Sequence, residues 1–217
     1  MSLFFMLGLL LGIYHAGRLG VADVLTRQIR QEMQQWKQTP EHVNQVRWSF
    51  IYRKTQTLAE LIPQSPDVLE LQAQLYYWQL RFIVADVQTL HEMVQTQALN
   101  HFLYAAQKRP SSAYTWSNIA LLKYYLRQYD TQFFQALKNT ALLGSWEPLM
   151  QRQVIEIGLI NWYYLPPALQ TVVVQTIEHG LQMPFNQVSQ LIQQYRRHAV
   201  ICQTQQPNTP LLTKICS

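Results

Sequence analysis

Apolar positions recur at helical spacing along most of this chain, and their character changes once, near residue 22. Leu3 to Ala16 reads LFFMLGLLLGIYHA, apolar on every side of a helix, and the run reaches Ala22 only by accepting Arg18. A spanning helix needs about 20 apolar residues, so this one is short, and a signal-peptide core looks similar. No Lys or Arg precedes the run. The best small-x-small site, Gly20-Val21-Ala22, lies past Arg18 in a stretch that continues into a helix. Residues 1–22 are therefore expected to form an uncleaved membrane anchor, the alternative being a buried core helix.

Residues 23–40 read as a connecting helix, polar from Gln28 to Lys37 and stopping near Thr39-Pro40. Residues 41–201 read as successive amphipathic helices. Val43, Val46, Ile51 and Leu58 stripe the first, which ends at Pro63 and Pro66. Ser65-Pro66-Asp67 is a start signal for the next, which carries Leu69, Leu71, Leu75, Trp78 and Phe82. Further helices are expected over about 87–108, 111–127, 130–142, 147–164, 167–179 and 186–202. Only Thr171-Val-Val-Val174 is β-prone, and it lies between a helical start at Pro166-Pro167 and a stop at Gly180. The fold class is all-α.

Helices of this length joined by short breaks form antiparallel hairpins. A two-helix repeat of about 34 residues is the tetratricopeptide pattern, and residues 113–144 offer it in a degenerate form. Trp116, Asn118, Ile119 and Ala120 lie in the first helix, Tyr129-Asp130 makes the turn, and Phe133, Phe134, Ala136, Leu137, Ala141 and Leu142 form the face of the second. The preceding pair supplies Leu71, Ala73, Tyr76 and Tyr77, then Ala105, Ala106 and Pro110. The expected architecture is an N-terminal membrane anchor helix followed by antiparallel helical hairpins, a TPR-like α-solenoid, with a generic α-bundle as the alternative.

Composition agrees with a helical chain. Seven Gly in 217 residues argue against barrels, dinucleotide folds and phosphate-cradling loops. Charged residues are 13%, about half the usual share, and 30 Gln fill much of the gap. Net charge is 17 − 12 = +5, but Lys and Arg are scattered. The densest groups, Arg47 with Arg53 and Lys54, and Arg196 with Arg197, lack the interleaving of a groove-reading helix, so no nucleic acid is expected.

Two signals disagree on topology. Arg18, Arg27, Arg30 and Lys37 all follow the anchor, which by the positive-inside rule puts the body in the cytoplasm. Cys202 and Cys216, the two cysteines, flank a Pro-containing loop in the tail 202–217, as a disulfide in an oxidising compartment would. Closing that loop would stabilise the fold by about 3 kcal/mol; two unrelated buried thiols are the alternative. The working expectation is a periplasmic body with a Cys202–Cys216 disulfide.

The residues offer little chemistry. None of the six His forms His-Glu-x-x-His, and none has a Cys or second His at ligand spacing. The adjacent pairs His91-Glu92 and Glu178-His179 point about 100° apart on a helix. Asp67 and Asp130 have the positions of helix-start residues. There is no Gly-x-Ser-x-Gly, Walker loop or dinucleotide fingerprint. No catalytic residue, cofactor or metal is expected; an enzyme would have to gather separated acids such as Glu156 or Glu178. Twelve Tyr and six Trp exceed the needs of a core this size, so some aromatics must face grooves. Trp116, Asn118, Lys123, Tyr124 and Arg127 are the candidate groove residues, although Trp116 also suits a core position. Trp146-Glu147-Pro148 reads as a helix start.

One stretch is more specific. Trp116-Ser-Asn118-Ile-Ala-Leu-Leu-Lys123, Asp130-x-x-Phe133-x-x-Ala136-Leu137-x-x-x-Ala141, Leu143-Gly144-Ser145-Trp146-Glu147-Pro148 and Gly158-Leu159-x-x-Trp162 follow in order. This resembles the VpsP-like polysaccharide biosynthesis proteins, small membrane-anchored, tetratricopeptide-like proteins of bacterial exopolysaccharide gene clusters. The resemblance covers 110–165 well and the anchor loosely. Ser145 stands where the family's Leu-Gly-Pro-Trp-Glu-Pro turn has Pro, and the family's amino-terminal basic cluster is missing. It implies a non-catalytic accessory protein of the bacterial inner membrane, serving exopolysaccharide synthesis or export. Its implied partners are polysaccharide assembly or export proteins of the inner membrane or periplasm. The alternative is a scaffold or chaperone-type subunit of another envelope machine, such as a secretion or pilus system.

Overall fold

The computed structural model describes residues 2–80, 88–181, 188–196, 199 and 201–202. Among the described residues all regular structure is helical and there is no strand. The α-helices are α1 (Ser2–Gln38), α2 (Gln45–Leu61), α3 (Pro66–Gln79), α4 (Gln88–Lys108), α5 (Ala113–Tyr125), α6 (Thr131–Leu143), α7 (Pro148–Ile160), α8 (Pro167–Leu181) and α9 (Val188–Gln194). The β-prone valines lie inside α8, where Leu169, Val173 and Ile177 fall on one face and are buried. Burial of that face outweighs local propensity. Contacts divide the chain into two compact units, before and after the Arg109–Pro110 bond, within the 41–201 span that the sequence suggests as one domain.

In the first unit, α1 is unbroken across the expected anchor and connecting helix; its 37 residues rise about 55 Å. Its surroundings change midway. From Phe4 to Gly17 it is exposed on all sides, Arg18 is half-buried, and then Ala22, Ile29, Met33 and Trp36 are buried, with Leu25 partly so. Steps of three and four residues keep these five on one stripe. They join Val43, Ile51, Leu58, Val68, Leu71 and Leu75 in a single core. A buried core helix is thus excluded for 4–17 among the described residues.

Three hydrogen bonds set α2 antiparallel to α1: Arg18 Nε to Leu61 O (2.7 Å), Lys54 Nζ to Gln28 Oε1 (2.8 Å) and Arg47 Nε to Glu32 Oε1 (3.0 Å). Asn44 caps α2 by accepting from the Arg47 amide. Val46 corrects the sequence stripe: it is exposed, while Ile51, Thr55 and Leu58 carry the buried face. The five-residue step from Val46 to Ile51 turns about 140° off that face. Next, α3 packs against α2 and more extensively against α4. Phe82 lies outside the described residues.

In the second unit, α5 pairs with α6 and α7 with α8, and the two hairpins meet through α5–α7, α6–α7 and α6–α8 contacts. That is the packing of stacked two-helix repeats, each covering its neighbour's apolar face. Gly158 allows α7 to approach α8: a Cβ there would lie 2.5 Å from Val173 Cγ2. Ser112 caps α5 by accepting from the Thr115 amide, and Asp130, a helix-start residue by its sequence position, caps α6 by accepting from the Phe133 amide. Pro148 occupies the first turn of α7 as the Trp-Glu-Pro signal implies. Several glutamines hold tertiary contacts that ion pairs hold elsewhere, including Gln153 with Ser117, Gln151 with Ser145 O and Gln170 with Trp162 O.

Candidate functional site

The second unit carries a cavity of about 470 Å³ against α5 and α7. The helices build it through their periodicity. On α5, Leu121, Tyr124 and Tyr125 sit at i, i+3 and i+4; on α7, Leu149, Arg152, Gln153, Glu156, Ile157 and Ile160 continue one face for three turns. Tyr195, just past α9, completes the lining and donates from its hydroxyl to Glu156 Oε1 at 2.7 Å. Burial, then the bond to Glu156, pushes the Tyr195 hydroxyl up to about 12, so at neutral pH it is a donor. Arg152 Nε lies 4.0 Å from Glu156 Oε2. The lining therefore combines three tyrosines, a guanidinium, a carboxylate and an amide. Such a set suits hydrogen bonding and ring stacking with a polar partner. Among the described residues the acid in the lining is Glu156.

The five groove candidates separate. Tyr124 lines the cavity. Trp116 is half-buried and donates from Nε1 to Pro110 O at 2.7 Å, closing the turn before α5. Asn118 donates to Tyr114 O of its own helix. Lys123 is buried, with its ammonium 2.7 Å from Asp130 Oδ2 and 3.3 Å from Gln128 Oε1. That pair consumes the charge internally, so Lys123 presents no cation to a groove. Arg127 is exposed in the turn after α5, in the left-handed region with φ 55°.

Tyr125, Arg152, Gln153 and Tyr195 were not singled out by the sequence. The polar stripe along α7 was the signal available for Arg152 and Gln153. Tyr195 carries no such signal, since it lies outside α5 and α7 and reaches the cavity only through tertiary contact with Glu156. Glu156 is half-buried and bonded to Tyr195 rather than fully buried, and Glu178 lies outside the lining. Trp146 is 67% exposed and stacks on His179 at 5.5 Å. A second, more apolar groove of about 490 Å³ lies between α6 and α8, with Phe134, Lys138, Leu169 and Val172 in its walls. Among the described residues no group of three His, Cys, Asp or Glu could hold a metal, and no cysteine is free. Cys216, and with it the expected Cys202–Cys216 bridge, lies outside the described residues.

These features define a class: among the described residues, an all-helical chain of packed hairpins whose N-terminal helix is exposed over residues 4–17 and is long and apolar enough to cross a membrane. No family model matches the chain, and no curated protein or solved structure matches it either.

Proposed function

We propose that this chain is a membrane-anchored accessory protein that works by binding partners, without catalysis of its own, in the assembly or export of a bacterial exopolysaccharide. The observation that carries the anchored-adaptor part is α1, bare and apolar over its first half and packed into a folded unit over its second. The process is supported by the sequence resemblance over 110–165. The tyrosine-lined cavity supports a binding role for the second unit, with Tyr125 and Arg152 as exposed members of its lining. Its partners are polysaccharide assembly or export proteins of the inner membrane or periplasm, and the anchor is a single pass through the inner membrane. The pair of cysteines supports a periplasmic body.

The test is secreted polysaccharide in a deletion strain complemented with full-length and anchorless protein. Loss of polymer restored only by the anchored form supports the reading, and unchanged polymer rejects the exopolysaccharide role. A photoreactive residue at Tyr125 in the complementing protein is expected to capture an integral-membrane polymerase or an envelope export protein.

A further inference from the structure

An unbroken α1 holds its lipid-crossing part and its packed part in fixed relation. Whatever packs beside α1 where its apolar surface ends is therefore set at the membrane surface, given the reading of α1 as an anchor. That level is legible in the exposure of the helix. Phe4, Leu10 and Ile13 are open, and on the side away from the core the apolar surface continues through Leu19, Val21 and Val24. From Phe4 to Val24 the helix rises about 30 Å, the thickness of a hydrocarbon core.

Arg18 falls inside that length, yet its guanidinium is turned to the protein. Nε donates to Leu61 O in the last turn of α2, satisfying an orphan carbonyl at the negative end of the helix dipole. Beside it is the α2–α3 corner, where Ile62 is half-buried and Pro63 and Gln64 are exposed. Lys108, at the end of α4, reaches the same corner: Nζ donates to Gln64 Oε1 at 2.8 Å and lies 5.1 Å from the Tyr104 ring centre. A cation reaching along its own stem out of the apolar layer, together with Tyr and Lys, is the composition of a membrane interface.

We infer that this end of the first unit rests in the phospholipid headgroup layer, with Lys108 toward lipid phosphates, Arg18 held at the Leu61 carbonyl beneath it, and Ile62 and Pro63 at the top of the acyl chains. The opposite end, where Arg47 meets Glu32, is about 21 Å further along α1 and stands clear of the lipid. The occupant of the surface is the bilayer that α1 crosses, because the same helix carries both.

Full-length protein in phosphatidylcholine–phosphatidylglycerol nanodiscs tests this with two photoreactive lipids, one carrying a diazirine in the acyl chain and one in the headgroup. Mass spectrometry then maps the labelled peptides. The acyl probe is expected to label residues 4–24, and the headgroup probe to label 61–66 and 104–109 several-fold more than 39–47. Headgroup labelling of the corner no stronger than of 39–47, with 4–24 still labelled by the acyl probe, overturns the inference and leaves the anchor standing. Absence of acyl labelling in 4–24 overturns the anchor and the inference together.

Discussion

Lys123 Nζ and Asp130 Oδ2 lie 2.7 Å apart, with the lysine side chain 4% exposed and the carboxylate 54% exposed. The pair ties the end of α5 to the start of α6, because Asp130 also caps α6 through the Phe133 amide. One partner depends on the pair more than the other: without Asp130 a buried ammonium loses its counter-charge, whereas without Lys123 the carboxylate still meets water.

Asp130→Ala is therefore expected to cost about 3 kcal/mol, combining a lost cap with a stranded buried charge and discounted for the exposed carboxylate. Lys123→Met is expected to cost about 1 kcal/mol or less. Urea unfolding of both variants checks the order; a costlier Lys123→Met would refute it. Burial pushes the Asp130 carboxyl up, but the bonds from Lys123 and the Phe133 amide outweigh it, leaving its pKa below the ordinary value. A depressed folded-state pKa gives stability that is present above the unfolded value, about 3.9, and is lost as pH falls through the folded one. Asp130→Asn removes that part of the acid dependence.

Arg127 closes α5 with a left-handed turn, the Arg127 amide donating to Tyr124 O and the Gln128 amide to Lys123 O. This is the helix-ending motif in which glycine is favoured. Arg127→Gly should raise stability by about 1 kcal/mol, read as a higher urea midpoint at unchanged slope. Binding through the Arg127 guanidinium would appear separately, as partner capture lost in a more stable protein.

Gly158→Ala places a methyl against Val173, which is fully buried. The expected loss is about 2 kcal/mol from overpacking. Val173→Ala in the same chain should recover part of it, and a double mutant whose losses simply add would refute close approach as the reason for glycine.

His101 stacks on Tyr76 at 5.3 Å, and burial holds its pKa below the ordinary histidine value. The neutral ring is the folded form, so its contribution is present above the unfolded pKa, about 6.5, and is lost as pH falls through the folded one. Stability measured from pH 7 down to 5 should therefore fall, and His101→Gln should flatten that slope. An unchanged slope would assign the acid sensitivity elsewhere.

Much of the helical order was legible from short-range signals. Asp130 and the Pro residues at helix starts act within a turn or two, so sequence spacing alone places them, whereas α2 starts at Gln45 behind the Asn44 cap rather than near Glu41. Lys123 shows the limit: on a helix a lysine reads as a surface cation, and only the return of the chain to Asp130 encloses it. Tyr124 was identified as a groove residue, while Tyr195, 71 positions later, was not, because no periodic signal links the two.

The sequence by itself determined an all-helical chain, an apolar first helix and the positions where helices start, since each follows from propensity, periodicity or capping over a few residues. Tertiary structure decided that α1 is one rod shared between a bare half and a packed half, that Lys123 is internal, and that α5, α7 and Tyr195 line one open cavity. Those outcomes depend on which faces meet across tens of residues, and burial energy is set by the neighbour that arrives rather than by the residue alone.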